Sequence, residues 1–440
     1  MSQANGPGEK KPEERRFIRE KIVRQPVSKR RIFKRLFCLV FVGILFGVIS
    51  AVSFVTALPW AQKYIGEESS TAESSTVSIP KDDPETTAAL PETQPSAAES
   101  EESEPIEDVM QQVLESYEYS VTDLSSMYSK LNTVVQGADK SIVTVHSVQH
   151  ETDWFDNPVE TSGQYAGAII ADTSQELLIL TPQAAVKAAD TIKVTFSNGT
   201  EIDGYVKQQD SLTGMAIVGV AIEGLDEATR NVLNCLVLGN AFAVKQGDMV
   251  AAIGSPIGIV HSCDYGFISY IRRNVPMTDG VTRVFYSDVR GNSDSGTFLM
   301  NLNGELIGWM TADYSSEQTD NATIFMGISD YKGTLEKMTN GIPIPYMGIA
   351  GQMVTEQASM NGTPSGLYVT NSIAEGPAYN AGIQNGDIIT AIDGNSISTL
   401  KDYQNRLESL NVGDEITVSV QRNGREHYTE LEYKVTIGAR

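Results

Sequence analysis

Gly291–Leu299 reads G-N-S-D-S-G-T-F-L. At its centre Asp294-Ser295-Gly296 sets a serine between an acidic residue and a glycine, which marks Ser295 as a candidate nucleophile. A serine hydroxyl becomes nucleophilic only when a base takes its proton and a third group holds that base in the right tautomer. Backbone N–H groups must also meet the negative charge that develops on the attacked carbonyl. The rest of the sequence therefore has to supply a folded frame, a base, an orienting carboxylate and two free amides.

The frame is visible as short β-rich runs: SIVTVHSV, YAGAIIA, ELLILT, TIKVTFSNGTEIDGYVK, MAIVGVAI, GDMVAAIG, YGFISYIRR and ELIGWMTA. Strands at this spacing, with no crossover-length helices between them, predict an antiparallel barrel or sandwich over residues 138–339. Ser197-Asn198-Gly199 and Asn303-Gly304 are hairpin turn signals. The proline-bearing GIPIPY at Gly341–Tyr346 marks a boundary. Beyond it, residues 343–438 mix strands (GLYVT, DIITAID, EITVSVQR, YKVTIG) with helices expected near Pro377–Ala381 and Thr399–Leu410, a compact α+β module. VTEQASMNGTPS, Val354–Ser365, reads as a polar loop. Cys235 and Cys263 do not make a disulfide framework in so long a chain, and buried thiols are expected.

The amino-terminal third is different. Lys and Arg number 33 against 56 Asp and Glu, a net charge of −23, yet residues 1–35 hold 12 basic and 4 acidic side chains. The acidic bulk argues against nucleic-acid binding, which needs clustered Lys and Arg. Leu36–Leu58 is 23 residues without a charge, about 34 Å as a helix, enough to cross a hydrocarbon core of about 30 Å. With Lys29-Arg30-Arg31 and Lys34-Arg35 before it, the expected arrangement is a transmembrane helix with residues 1–35 cytoplasmic and the bulk of the chain extracytoplasmic. Residues 59–105 are rich in acidic, Ser, Thr and Pro residues and read as a disordered linker. In 106–137, Val109, Val113, Leu114, Tyr117, Leu124, Tyr128, Leu131 and Val135 recur at helical spacing, for packing on the next domain or association with other copies.

This order of segments resembles the HtrA/Deg family: a membrane anchor, a chymotrypsin-like double β-barrel and a PDZ domain. GDMVAAIGSPIGI (Gly247–Ile259) is similar to the family's glycine-proline strand-loop, and NLNGELIG (Asn301–Gly308) to the segment after its active-site serine. YMGI (Tyr346–Ile349) resembles the PDZ carboxylate-binding loop, and GPAYNAGIQNGDIITAIDGNSI (Gly376–Ile397) the PDZ helix-turn-strand core.

The resemblance implies a serine-type endopeptidase, but its chemistry carries over only in part. The nucleophile position falls on Ser295. The histidine segment reads TPQAAV (Thr181–Val186), with Ala184 in place of His, and the aspartate segment reads TGMAIV (Thr213–Val218), with Gly214 in place of Asp. Ser293 replaces the glycine whose amide belongs to the oxyanion hole. Removing the base of such a triad costs about as much as removing all of it, roughly 10⁶-fold in kcat. His261 and Lys187 are the only candidates for a substitute base. The expectation is a pseudoprotease acting in extracytoplasmic protein quality control. It would bind peptide C-termini or unfolded segments, with Tyr346, Met347, Gly348 and Ile349 as the carboxylate-binding residues. Proteolysis with a non-standard base and a regulatory role on active paralogues are the alternatives, homo- and hetero-oligomers both staying open. No cofactor or metal site is expected: histidines are few and none has ligand spacing.

Overall fold

Runs such as ELLILTP in β3 (Glu176–Pro182), buried from Leu177 onward, are apolar on both faces because each face meets a different core. Successive side chains of a strand point to opposite sides. Leu177 and Ile179 enter the interior of the first barrel, whereas Leu178 and Leu180 join a second cluster that includes Phe298 and Trp309. The computed structural model describes residues 76–83, 120–152, 158–314, 321–425 and 427–440. The basic segment 1–35, Leu36–Leu58 and most of the linker lie outside them. Among the described residues no helix is long and apolar enough to cross a membrane.

The fold is mainly β, two closed six-stranded barrels and then a PDZ-type sheet. The first barrel joins β1 (Ile142–Thr152), β2 (Pro158–Asp172), β3, β4 (Thr191–Thr195), β5 (Glu201–Asp210) and β6 (Met215–Ala221) in the order β1-β2-β3-β6-β5-β4. Short helices α2 (Ala184–Lys187) and α3 (Glu227–Val232) follow β3 and β6. Gly199, at φ +87°, turns the β4–β5 hairpin as Ser197–Gly199 predicts. The second barrel joins β7 (Met249–Gly254), β8 (Ser262–Met277), β9 (Gly280–Ser287), β10 (Thr297–Met300), β11 (Leu306–Met310) and β12 (Thr323–Gly327) in the order β10-β11-β12-β9-β8-β7. Trp309 in β11 is buried, and its indole N–H donates to Thr213 O across the barrel boundary (3.2 Å).

Helix α4 (Lys332–Thr339) closes the barrels. In the PDZ module, β13 (Pro345–Tyr346) pairs with β20 (Gly438–Ala439). Strands β14 (Ile349–Met353), β15 (Leu367–Ser372), β16 (Ile388–Ile392), β18 (Glu415–Asn423) and β19 (Tyr428–Thr436) form a sheet in chain order, with β17 (Asn395–Ser396) beside β16 and β14 at an edge. Helices α6 (Pro377–Ala381) and α7 (Leu400–Glu408) lie where they are expected. Part of the Val354–Ser365 loop is instead helical, α5 (Glu356–Met360), because Thr355 caps it through Ala358 N–H. Both Cys235 and Cys263 are free and exposed, not buried.

Two more differences from expectation concern the amino-terminal side. Helix α1 (Val121–Asp139) starts at a capping box in which Ser120 and Asp123 satisfy each other's amides; residues 106–119 lie outside the description. Only its end packs: Val135 and Ala138 are buried, while Val121, Leu124, Met127 and Tyr128 are exposed. Residues 76–83, inside the expected linker, are docked. Ile79 is buried, Val77 exchanges backbone bonds with the Asn340 carboxamide, and Asp82 accepts from Ser329 and the buried Lys332 ammonium (2.9 Å). Composition alone misjudges this stretch because two apolar residues and one carboxylate suffice to seat it.

Candidate functional site

The end of β3, the start of β6 and the turn before β10 converge where the barrels meet. Gln183 N–H donates to Gly214 O (2.8 Å), so the position beside Ala184 and the Gly214 position are adjacent. The serine turn is fixed by Ala166 N–H to Ser295 O (2.7 Å) and Ser255 N–H to Gly296 O (2.8 Å). Gly296 sits at φ +90°, where a Cβ would come within 2.8 Å of Ala166 O, so only glycine fits. Ala184 and Gly214 are both exposed, and neither side chain can accept or orient a proton.

Among the described residues the Ser295 hydroxyl has one partner, the carbonyl of Ser255 at 3.4 Å. A carbonyl cannot take up the proton that a nucleophilic serine must lose. The four imidazoles are elsewhere: His146 pairs with Thr195, His150 with Asp190, His261 with Asp139 (3.1 Å), and His427 is exposed beyond β18. Lys187 is exposed at the end of α2. The Asn292 carboxamide oxygen accepts from both Asp294 N–H and Ser295 N–H (3.0 Å each). The Ser295 amide is one of the two donors an oxyanion would need, and here an Asx turn uses it. The Ser293 hydroxyl leans on Asp294 at 3.4 Å. The sequence reading missed Asn292, although an Asn two and three residues before these amides is a local signal.

The second site lies in the PDZ module. Gly348, at φ +81°, turns the chain so that the N–H groups of Met347, Gly348 and Ile349 point to one spot, an anion-binding nest. Tyr346 pairs with Gly438 instead. The nest holds a carboxylate: Asp279, at the tip of the β8–β9 hairpin, accepts from Met347 N–H (2.8 Å), Gly348 N–H (2.8 Å) and Ile349 N–H (2.9 Å). Tyr403 of α7 donates its hydroxyl to the same carboxylate (2.9 Å). Burial, together with that carboxylate, holds the Tyr403 phenol well above its ordinary pKa, so it remains a donor. Asp279 N–H also donates to Ile349 O (2.7 Å), the first rung on the open edge of β14. Gln404 of α7 fastens the hairpin further, accepting from Val281 N–H and donating to Asp330 O.

This architecture defines a class: a trypsin-like double barrel joined to a peptide-recognition module. Residues 165–308 match the trypsin-like peptidase domain model and residues 345–433 the PDZ domain model. The chain is 26% identical over 327 residues to the serine protease Do-like HtrA of Bacillus subtilis (strain 168), covering 68% of this chain and 71% of that protein. It is 28% identical over 287 residues to a probable periplasmic serine endoprotease, DegP-like, of Halomonas elongata; that match covers 60% of this chain and 55% of the relative. Solved structures of the HtrA-type protease AlgW share the fold. The one with a decapeptide has a TM-score of 0.53 at 20% identity, over 70% of this chain and 98% of that one. The one with a tripeptide has 0.52 at 22%, over 70% and 97%. Across both domains the chain is thus similar to HtrA- and DegP-like serine proteases.

Proposed function

We propose that this chain is a membrane-anchored HtrA-type pseudoprotease that binds peptide C-termini or unfolded segments outside the membrane, in protein quality control. One observation carries the reading. Three convergent amides of Met347, Gly348 and Ile349 hold a carboxylate, while among the described residues the Ser295 hydroxyl has only a carbonyl for a partner. A PDZ nest of this geometry takes a terminal carboxylate, and an edge strand such as β14 pairs with the peptide that carries it. The basic flank and apolar run ending at Leu58 support the anchor and an extracytoplasmic position for the two domains.

The test is incubation of the purified full chain with unfolded casein beside the Ser295→Ala variant. No cleavage is expected from either protein, and no labelling of Ser295 by a fluorophosphonate. Cleavage that disappears in Ser295→Ala would make the chain an endopeptidase. The exposed Leu124, Met127 and Tyr128 on α1 favour a second reading, a regulatory subunit joined to active paralogues, which co-purification from the native membrane would reveal.

A further inference from the structure

We infer that Asp279 is a built-in ligand of the PDZ nest, and that a peptide C-terminus must displace the β8–β9 hairpin to bind. The inference rests on the peptide-binding reading above and adds its regulation. A terminal carboxylate and the Asp279 carboxylate need the same donors. Met347, Gly348 and Ile349 N–H are all spent on Asp279, and Tyr403 supplies a fourth donor. The first ladder position is taken as well, by Asp279 N–H on Ile349 O. The hairpin thus copies both halves of peptide recognition, the carboxylate in the nest and the strand on the edge.

The fit of the hairpin is specific. Asp279 is 6% exposed and sits at φ +60°, a conformation open to Gly, Asn and Asp and costly for most other residues. Behind the nest, the hairpin tip also packs near α4 and α7, around a cavity of about 30 Å³ lined by Met277, Asp279, Gly280, Gln404 and Leu407. Because the hairpin belongs to the second barrel, opening the nest also frees Gln404 from Val281. Occupancy of the PDZ groove is therefore coupled to the contact between the two domains.

The experiment compares the full chain in detergent micelles with its Asp279→Gly and Asp279→Asn variants. Glycine suits the backbone and removes the carboxylate; asparagine keeps the shape and removes the charge. The probes are dye-labelled decapeptides ending in Ala, Val, Leu or Phe, each with a free carboxylate and with a terminal amide. Hydrogen exchange at Met347, Gly348 and Ile349 is read in parallel, with the barrel strands as a folding control. Free-carboxylate peptides should bind Asp279→Gly about 10- to 100-fold more tightly than the wild type, as an open population of about 1–10% implies. The amidated peptides should not show the gain, and exchange at the three amides should quicken. Equal affinity in wild type and Asp279→Gly, or unchanged exchange at the nest, overturns the inference while leaving peptide binding intact. Faster exchange with no peptide bound by either protein supports closure by Asp279 and overturns the peptide-binding reading.

Discussion

Two substitutions would place a histidine and an aspartate at the serine cleft, Ala184→His and Gly214→Asp, and we expect the double variant to show no proteolytic activity. Ser295 N–H would still be held by Asn292, so an oxyanion would lack a donor worth about 10²–10³ in kcat. Gly214 lies at φ +68°, where replacing glycine costs roughly 1 kcal/mol. The measurement is fluorophosphonate labelling and casein cleavage by the double variant, and either above the Ser295→Ala background would show that the turn rearranges. Ala184, Gly214 and Ser295 were legible in the sequence because each sits in a segment whose neighbours fix its register. Asp279 was not. The Asp279-Gly280 pair signals a tight turn locally, but its partners lie 68 to 70 residues away, and only the packed domains bring them together.

At the scale of elements, most apolar runs bounded by turn residues announce their strands, but not all do. TIKVTFSNGTEIDGYVK became the β4–β5 hairpin, yet β9, β10 and β12 went unnamed, since short apolar runs such as TFLM carry no period of their own. The turn between β12 and α4 carries a testable charge. Asp330 is 6% exposed and its carboxyl is pushed above the usual aspartate range, by burial first, against Lys401 and Arg283. A folded-state pKa above the unfolded one gives stability that is full below the unfolded value and is lost as pH rises through the folded one. Asp330→Asn keeps the acceptor for Arg283 N–H (2.9 Å) and removes that loss. Its stability relative to wild type should therefore rise between acidic and neutral pH in urea titrations. A constant difference would mean that Lys401, 3.4 Å away, offsets the burial.

Across the whole molecule, barrel and PDZ are tied at separate points: the Asp279 nest, Gln404, Lys401 on Asp330, and Arg440 on the fully buried Asp210. Residues 76–83 add a strap, with Lys81 reaching Glu408 of α7 and Asp82 on Lys332. Lys332→Ala should destabilise the protein by about 1–3 kcal/mol, because it leaves a partly buried carboxylate short of its charged donor. The same variant should make residues 76–83 the first site of limited proteolysis, whereas equal cutting rates would show that Ile79 and Asn340 seat the strap unaided. The strap went unread in the sequence because its surroundings are those of a linker, and its few anchoring residues have partners more than 240 positions away.

Residues 76–83 and the end of α1 are seated on the same folded body. Residues 83 and 120, which bound the undescribed stretch 84–119, both belong to that one body. A nick between residues 83 and 120 would cut the polypeptide in two without at once parting the pieces, which Asn340, Ser329 and Lys332 would still hold together. If the chain is anchored before residue 76, as proposed above, a nick there would release barrels and PDZ whole. The site of cleavage, on either side of one short strap, thus decides between a severed but assembled protein and a shed one.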